Sequence, residues 1–322
     1  MDILISEELD APPVRKLCDK YNAFRDGSLW KDPATLKHKL AGARAIMVRN
    51  QTQLTAEILA AAPRLLGIGR VGVGLDNIDV AAATKLGIVV IAPLEANATS
   101  VAELTMGFVL ALARKIPQGD RSTKAGGWDR KGCTGIELDG KTLALCGFGR
   151  IGRKVAVMAR AFGMKTLVFD PFIKSDSPVL AETGSSWAGT LEEVLADADF
   201  VSTHSPLTPE TRQMFNKGAY ALMKPGAFFI NTSRGGVVDE AALLETLRAG
   251  HLGGAALDVR EKEPPAEKSG FEELENVILA PHIGAFTVES QARTFEAVAS
   301  DLDRLLSGEP ARNFVNIASP KR

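Results

Sequence analysis

Cysteine is scarce in this sequence, and neither a long apolar run nor an N-terminal targeting signal is present. The three cysteines, Cys18, Cys133 and Cys146, form no C-x-x-C pair, and their odd number argues against a disulfide framework. No apolar run approaches the length that spans a bilayer, and the opening MDILISEELD carries acidic residues where a secretory signal carries basic ones. We therefore expect a cytoplasmic protein with no membrane partner, no metal site and a buried, hydrophobic role for Cys146.

An excess of charge of either sign is also missing. The sequence has 38 basic and 39 acidic residues, a formal net charge of −1, which gives no reason to expect a nucleic-acid partner. Hydrophobic residues make up 45% and charged residues 24%, which is ordinary for a globular protein. The 322 residues are enough for one large or two medium domains, and no internal repeat or low-complexity segment interrupts them.

The first hundred residues alternate between short apolar runs and helix-like segments. The runs are partly β-branched and bounded by polar residues, as buried strands are; they lie at Ile3–Ser6, Ala45–Arg49, Leu65–Gly72 and Gly87–Pro93. The helix-like segments include Thr55–Ala62 and Val80–Leu86. This alternation predicts a small α/β unit with a parallel sheet of its own.

The stretch Ser100–Gly119, SVAELTMGFVLALARKIPQG, is predicted to form one long, largely buried helix. Ser100 is a candidate N-cap with Glu103 three residues later, as in a capping box, and Pro117 is expected to end the helix. A helix of this kind would connect two domains.

A second α/β series begins at Lys141 and contains six strand-like runs separated by segments such as Thr190–Asp197 and Glu240–Ala249. Six strands with intervening helices predict a doubly wound dinucleotide fold. The helical segment Val288–Leu306 is too short to be a domain and is expected to return to the first unit. We thus predict two α/β domains with doubly wound parallel sheets. A Rossmann domain at 99–288 is inserted into a smaller flavodoxin-like domain at 1–98 and 289–322, with a cleft between them.

The stretch LCGFGRIGRKVA contains a complete G-x-G-x-x-G motif at Gly147, Gly149 and Gly152. It follows the apolar strand Thr142–Cys146 and opens a helix, which is the context that dinucleotide binding requires. The glycines permit a tight turn, close approach to a pyrophosphate and close helix packing. Asp170 ends the next strand, where a carboxylate binds ribose hydroxyls and repels a 2′-phosphate, so we predict NAD as the cofactor.

Polar residues stand where the later strands end, at the edge of an open α/β sheet that binds ligands. They are Thr203 and His204, Thr232 to Arg234, Asp258 and His282. Of the four histidines, His38 is expected to be solvated and His251 to lie at a helix C-terminus. His204 is expected to line the cofactor cleft or to be structural, and His282 alone would more often be structural than catalytic.

Six stretches together resemble the D-isomer-specific 2-hydroxyacid dehydrogenases over nearly the whole chain, and the phosphoglycerate dehydrogenase branch in particular. They are LCGFGRIGRKVA, NTSRGGVVDEAAL, GAALDVREKEPP, ILAPHIGAFT, GRVGVGLDNID and ATSVAELTMGFVLALAR. The resemblance implies that His282 is the general acid/base at the C2 oxygen of a 2-hydroxyacid. It implies that Glu263 orients the imidazole and raises its pKa, and that Arg234 binds the substrate carboxylate and polarises the C2 carbonyl.

The resemblance also implies which residues hold the cofactor and the rest of the substrate. Backbone amides near Val73 and Gly74 would bind the carboxylate, and Arg49, Arg70 and Asn97 would lie toward the other end of the substrate. Asp258 would be the partner of the nicotinamide carboxamide. The full set expected to bind NAD is Gly147, Gly149, Arg150, Ile151, Gly152, Asp170, Thr203, His204, Ser205, Pro206, Thr211, Thr232, Ser233, Arg234, Asp258, His282, Gly284 and Ala285.

The residues expected near the far end of the substrate fit more than one class of 2-hydroxyacid. Two arginines would suit a second anion, a phosphate or a sulfonate, although both could equally be solvated surface residues. Val73 stands where the phosphoglycerate branch often has Thr, and Phe286 stands where Ser is usual and could narrow the pocket. The chain ends before the regulatory domains of longer phosphoglycerate dehydrogenases, so we expect no feedback through such a domain.

Several alternatives therefore stay open. The enzyme could act on 3-phosphoglycerate, hydroxypyruvate, glyoxylate or sulfolactate, and a non-catalytic, NAD-sensing corepressor-like protein is the alternative from another class. A homodimer is implied by the resemblance, with Ser100–Arg114 and the segment around Trp128 as candidate interface elements, although Trp128 could equally belong to the core.

Overall fold

The computed structural model describes all residues from 1 to 322, which divide into two compact units. Unit 1 comprises Met1–Asn97 and Ala285–Arg322, and unit 2 comprises Ala98–Gly284. The breaks thus fall after Asn97 and Gly284, slightly earlier than the predicted boundaries at 98 and 288. No helix in either unit combines the length and the apolar character needed to cross a membrane.

Strands and helices alternate along almost the whole chain. The strands are β1 Ile3–Ile5, β2 Ala23–Arg25, β3 Ala45–Val48, β4 Gly67–Arg70, β5 Val89–Ile91, β6 Thr142–Cys146, β7 Lys165–Phe169, β8 Ser186–Trp187, β9 Phe200–Thr203, β10 Phe228–Asn231, β11 Gly254–Leu257 and β12 Val277–Leu279. The helices are α1 Pro12–Lys20, α2 Pro33–Leu40, α3 Ala56–Ala60, α4 Val80–Lys85, α5 Ala98–Ala113, α6 Ile116–Lys124, α7 Arg150–Ala161, α8 Pro178–Thr183, α9 Leu191–Ala196, α10 Lys217–Leu222, α11 Glu240–Arg248 and α12 Val288–Leu306. Short 3₁₀ turns occupy Leu29–Lys31, Gly235–Val237 and Phe271–Glu273.

Unit 1 contains a five-stranded, all-parallel sheet in the order β2-β1-β3-β4-β5. This is the flavodoxin-like order, in which the direction of winding reverses between β1 and β3. Strands β1, β3, β4 and β5 are wholly buried because helices cover both faces. The apolar face of α12, with Val298, Leu302 and Leu305, packs into one of the two cores, which confirms that this helix returns to the first unit.

Unit 2 contains a seven-stranded, all-parallel sheet in the order β12-β11-β10-β9-β6-β7-β8. The winding reverses between β6 and β9, as in a Rossmann fold. Helices α5 and α7 bury their apolar side chains on one face of the sheet, and α9, α10 and α11 bury theirs on the other. The predicted fold class, two doubly wound parallel α/β domains, is confirmed.

Two edge strands escaped the sequence analysis. Strand β2 has three residues, none of them fully buried, and β8 has two exposed residues. Edge strands contact only one neighbour and expose much of their surface, so they lack the apolar run that identifies a central strand. Unit 2 accordingly has seven strands rather than the predicted six.

The predicted helix at Ser100–Gly119 is wrong in its start and its end. Helix α5 begins at Ala98, so Ser100 is buried inside its first turn rather than capping it. The helix ends at Ala113, Lys115 adopts a left-handed φ of 51°, and Pro117 lies in the first turn of a separate helix, α6. Proline is well tolerated there, because amides in the first turn have no intrahelical partner.

Other predictions about single residues have clear outcomes. Cys146 is fully buried, and burial raises the pKa of its thiol to about 12, so it serves as a small hydrophobic residue. His38 is exposed, as predicted. His251 hydrogen-bonds the carbonyl oxygens of Tyr220 and Met223 at the end of α10, so it contacts the C-terminus of a neighbouring helix. Trp128 is 80% exposed, which excludes a place in the core.

Candidate active site

The turns after β6 and β9 touch each other where the winding of the unit 2 sheet reverses. The amide of His204 donates to the Cys146 carbonyl over 2.8 Å, and the Ser205 hydroxyl donates to the same oxygen over 3.1 Å. Gly147 has a left-handed φ of 99°, and a Cβ there would lie 2.8 Å from the carbonyl carbon of His204. Only glycine fits both the conformation and the space.

Helix α7 begins beside this turn with amides that no side chain caps. Gly149 is its N-cap residue and offers no capping side chain, and a Cβ built on Gly149 would meet no atom within 4 Å. The space beside Gly149 at the helix start is therefore open, whereas a Cβ on Gly152 would lie 2.3 Å from the Gly147 carbonyl oxygen. Such a helix N-terminus attracts an anion, since its free amides and the helix dipole both favour negative charge.

The end of β9 contributes two buried polar atoms that have no hydrogen-bond partner, Thr203 Oγ1 and His204 Nδ1. Burial lowers the pKa of His204 to about 4, so its ring is neutral near pH 7, and its Nε2 lies 3.0 Å from Ser202 Oγ. Buried polar atoms without partners are rare and point to a missing polar ligand. Together with the glycine turn and the uncapped helix, they fit a dinucleotide in this crevice.

The carboxylate of Asp170 lies directly beside the glycine turn. Its Oδ2 accepts from the Phe148 amide over 2.7 Å, and its Oδ1 accepts from the Phe172 amide over 2.9 Å. Thr211 closes the loop after β9 by donating to the Pro206 carbonyl over 2.6 Å. Both residues thus shape the predicted cofactor site, and their direct contact with NAD stays a prediction.

Arg234 projects from the loop that follows β10. Asn231, the last residue of that strand, donates from its Nδ2 to the Arg234 carbonyl and accepts from the Ser233 amide and hydroxyl. The Arg234 Nη1 donates to the Ser233 carbonyl over 2.8 Å. Thr232 Oγ1 lies 3.0 Å from Thr105 Oγ1 on α5. These bonds order the loop, so the guanidinium is held by its own turn.

His282 and Glu263 form a close pair at the same edge of the sheet. The His282 Nδ1 lies 2.6 Å from Glu263 Oε2, and His282 itself has a left-handed φ of 55°. Because Nδ1 bonds the carboxylate, Nε2 is the nitrogen left to meet a ligand, and the imidazole is 46% exposed. Burial of Glu263 raises the pKa of its carboxyl, but the hydrogen bonds from His282 and the Arg260 amide, with the charge of Arg234, leave that pKa below its ordinary value.

Asp258 holds the segment that contains His282. Its buried carboxylate accepts from the Ile283 amide over 2.7 Å and from the Gly284 amide over 2.8 Å, and its carbonyl accepts from the His282 amide over 2.7 Å. Three consecutive amides therefore bond one residue. Asp258 was predicted only as the partner of the nicotinamide carboxamide, so its anchoring of the His282 segment is an additional role.

The two arginines predicted to face the substrate tail have different surroundings in unit 1. Arg70 is buried, with its Nε donating to the Gly74 carbonyl and its Nη1 to the Val71 carbonyl, both over 2.8 Å. Its guanidinium thus supports the glycine-rich loop that contains Val73. A structural role accounts for these contacts, and contact with substrate stays a prediction for this arginine.

Arg49 lies at the end of β3, next to the point where the unit 1 sheet reverses. Its guanidinium stacks 4.4 Å from the ring centroid of Phe286, and its Nη2 donates to Gln291 Oε1 over 2.7 Å. Gln291 in turn donates from its Nε2 to the Ala285 carbonyl over 2.9 Å. Of the three guanidinium nitrogens, Nη2 is the one that donates a hydrogen bond within unit 1. Of the remaining predicted residues, Asn97 has a buried Oδ1 without a partner.

Glu7 and Gln291 also determine the structure of this region, and neither was predicted from the sequence. The buried carboxylate of Glu7 accepts from the amides of Arg49 and Thr52 over 2.8 and 3.0 Å and so orders the loop after β3. An acidic residue two positions after the first buried strand was a usable signal. Gln291 carried none, because a glutamine in the first turn of a helix is ordinary.

Comparison with known proteins gives one consistent result. Residues 106–284 match the family model described as "D-isomer specific 2-hydroxyacid dehydrogenase, NAD binding domain". A D-3-phosphoglycerate dehydrogenase from Methanocaldococcus jannaschii is 46% identical over 282 residues, 88% of this chain and 53% of that protein.

Two solved structures extend the likeness to the whole chain. The TT0316 protein from Thermus thermophilus superposes with a TM-score of 0.89 at 33% identity, covering 98% of this chain and all of that one. A D-lactate dehydrogenase from Aquifex aeolicus, complexed with NAD and lactic acid, gives a TM-score of 0.86 at 32% identity and covers 98% and 99%. By contrast, the chain spans about half the length of the curated relatives it matches.

Proposed function

This chain belongs to the D-isomer specific 2-hydroxyacid dehydrogenase family, and from that premise we propose that it is an NAD-dependent dehydrogenase of a D-2-hydroxyacid. The observation that carries the proposal is the His282–Glu263 pair, with a 2.6 Å bond that leaves the imidazole Nε2 for substrate. Bound NAD would supply the acceptor for the hydride that leaves C2. NAD would be held by the uncapped start of α7, by Gly147 and by two unpartnered atoms, Thr203 Oγ1 and His204 Nδ1.

In the proposed reaction, His282 Nε2 takes the proton of the C2 hydroxyl during oxidation and returns it during reduction. Glu263 fixes the ring orientation and tautomer through Nδ1 and stabilises the imidazolium that forms. Arg234 binds the substrate carboxylate, because a planar guanidinium matches a carboxylate with two parallel hydrogen bonds. Amides near Val73 and Gly74 are proposed to bind the same group.

We propose further that the substrate carries a second anionic group, as 3-phosphoglycerate does. The support comes from Arg49, a half-buried guanidinium with one face on Phe286 and Nη2 on Gln291, while Nε and Nη1 donate no hydrogen bond within the chain. Stacking on the ring shields the charge from water, which strengthens its interaction with an anion. The similarity to D-3-phosphoglycerate dehydrogenases agrees with this substrate class.

Replacement of His282 with Ala tests the reaction. We expect kcat to fall by about 100-fold or more, the range lost with a general acid–base group, while NADH affinity stays near the parental value. NADH affinity is measured by fluorescence titration, and His38→Ala, a change at an exposed histidine, is the matched control. Parental turnover in His282→Ala would rule out this assignment of the acid/base.

The substrate class is tested by NADH formation from NAD with D-3-phosphoglycerate, sulfolactate, D-glycerate and D-lactate. A preference for the doubly anionic acids supports Arg49 as the tail-binding residue. A preference for the singly charged acids gives Arg49 a structural role only and favours a hydroxypyruvate or glyoxylate reductase. The absence of turnover with all four acids, in both directions of the reaction, would overturn the dehydrogenase proposal and favour the corepressor-like alternative.

We also propose that the protein acts as a homodimer in the cytoplasm. Trp128 is 80% exposed within a stretch, 126–137, that is almost entirely exposed, and a second copy of the chain would cover it. Light scattering after size exclusion gives the assembly mass, and Trp128→Ala should shift the assembly toward a monomer. Cell fractionation tests the location.

A further inference from the structure

The loop that supplies Glu263 is long and largely exposed. Between the end of β11 and the 3₁₀ turn at Phe271–Glu273, residues 261–268 are all exposed and form no helix or strand. Loops of this kind are normally the most mobile parts of a domain. A general acid–base pair nevertheless needs its orienting carboxylate held at a fixed position. Something outside the loop therefore has to fix its backbone.

Glu240, in the first turn of α11, makes three contacts with the start of this loop. Its Oε1 accepts from Arg260 Nε over 3.1 Å and its Oε2 from Arg260 Nη2 over 2.8 Å. Its Oε1 also accepts from the Glu261 amide over 2.6 Å. The Arg260 and Glu240 side chains are only 10% and 18% exposed, so water screens this bidentate pair far less than it screens a surface ion pair.

Arg260 is held on a second side by Phe271. The guanidinium lies 5.1 Å from the centroid of the buried Phe271 ring, which joins the two ends of the loop. The backbone of Arg260 also packs against Gly235, where an added Cβ would overlap the Arg260 carbonyl group. Because Gly235 directly follows Arg234, the loops after β10 and β11 are in contact at this point.

The anchored backbone of Arg260 contacts Glu263 through one hydrogen bond. The Arg260 amide donates to Glu263 Oε1 over 2.9 Å, while Glu263 Oε2 faces His282 Nδ1. An anchored Arg260 backbone therefore holds one carboxylate oxygen, which aims the other at the imidazole.

We propose that Glu240 and Arg260 form a clamp that positions Glu263 against His282, and that both are positioning residues of the dehydrogenase reaction. The inference rests on the proposed function, since it assigns the clamp to the same acid–base pair. Neither residue needs to touch substrate. The clamp acts by fixing the loop backbone at Arg260 and Glu261.

The test removes the clamp without leaving a buried unpaired charge. The double variant Glu240→Met/Arg260→Met keeps side chains of similar size, removes the oxygen that accepts from the Glu261 amide and lets a methionine pack on Phe271, so unit 2 should fold. The matched control is Glu245→Gln on the same helix, which loses an exposed ion pair with Lys217. Readouts are kcat and KM, NADH affinity, the melting temperature, and the downfield proton NMR signal of the His282 Nδ1–H, assigned by its loss in His282→Ala.

We expect the double variant to lose the NMR signal and to lower kcat by about 100-fold, the cost of a misplacement near 1 Å, with KM and NADH affinity within about threefold. When the double variant is combined with Glu263→Ala, kcat should be no lower than in Glu263→Ala alone, because the clamp acts only through Glu263. Glu245→Gln should retain the signal and parental turnover.

Three results would overturn the proposal. In the first, the double variant retains the NMR signal and the parental kcat. In the second, the double variant lowers kcat by the same factor whether or not Glu263→Ala is present. In the third, the control Glu245→Gln lowers kcat as much as the double variant does. Parental turnover in His282→Ala would instead refute the proposed function, and the NMR signal would still report whether the clamp positions Glu263.

Discussion

Replacement of Asp258 with Asn should weaken both the stability of unit 2 and the placement of His282. The buried carboxylate accepts from two consecutive amides, at Ile283 and Gly284. An asparagine side chain has one acceptor oxygen, so its amino group would face a backbone N–H, donor against donor. One charge-assisted hydrogen bond is lost and one amide is left unsatisfied, which together cost about 3 kcal/mol.

That loss corresponds to a decrease in melting temperature of about 6 to 12 °C for a domain of this size. The His282 segment would shift with the lost bond, so kcat should fall by at least about tenfold even at temperatures where the variant is folded. Circular dichroism melting and steady-state NADH formation measure the two effects. The control is Asp239→Asn, the same chemical change at the N-cap of α11, where the side chain accepts from one amide and asparagine caps about as well.

A melting temperature and turnover equal to those of the parent would refute the reasoning, because the amide left unsatisfied by asparagine would then have found another partner without cost. A lower melting temperature with parental kcat would show that Asp258 stabilises unit 2 but does not place the histidine.

The remaining predictions concern the cofactor turn, the pH dependence and the substrate tail. Gly147→Ala should weaken NADH binding and lower the melting temperature, because its φ is 99° and its Cβ would overlap His204; Gly149→Ala, whose Cβ meets no atom, should weaken NADH binding alone. The pKa of Glu263 lies below its ordinary value of 4.5, so the stability it contributes is present above about pH 4.5 and is lost as the pH falls through the lowered pKa. Urea unfolding of the parent and Glu263→Gln should therefore show a difference in unfolding free energy that shrinks as the pH falls below about 4.5, and a difference that stays constant down to about pH 2 would contradict this origin. Phe286→Ser should raise KM for a doubly anionic acid by about threefold through the lost stacking on Arg49 and leave KM for D-lactate unchanged; equal effects on both acids would exclude Phe286 from tail recognition.

The parts of the fold that could be predicted are the strands and helices whose residue pattern is visible within one short stretch of the chain. Buried parallel strands are continuous apolar runs, so β1, β3 and β6 stand out, and α12 was predicted with the bounds that the structure shows. The family resemblance depended on motifs of a few adjacent residues, and the comparisons confirm it. Local pattern misled where two signals competed, as at Ser100, whose capping signature lies inside the buried first turn of α5.

The predicted site divides in the same way. The side chains at the ends of β6, β9, β10 and β11 could be assigned to one edge of a sheet, because parallel strands of one sheet place their carboxyl ends together. No sequence pattern shows which partner each side chain selects. Arg49 and Arg70 look alike in sequence, yet one stacks on Phe286 and the other supports a glycine-rich loop.

Local sequence accounts for the alternation of strands and helices, the glycine turn and the family, since each of these resides in neighbouring residues and their spacing. Three contacts of the site arise only when the chain folds. Glu240 bonds Arg260 across 20 positions, and Asp258 holds the His282 segment. Glu263 directs one carboxylate oxygen to the Arg260 amide and the other to the imidazole of His282. Hydrogen bonds between distant residues depend on where loops from different strands meet. That meeting is set by sheet order and packing, which no local stretch of the chain contains.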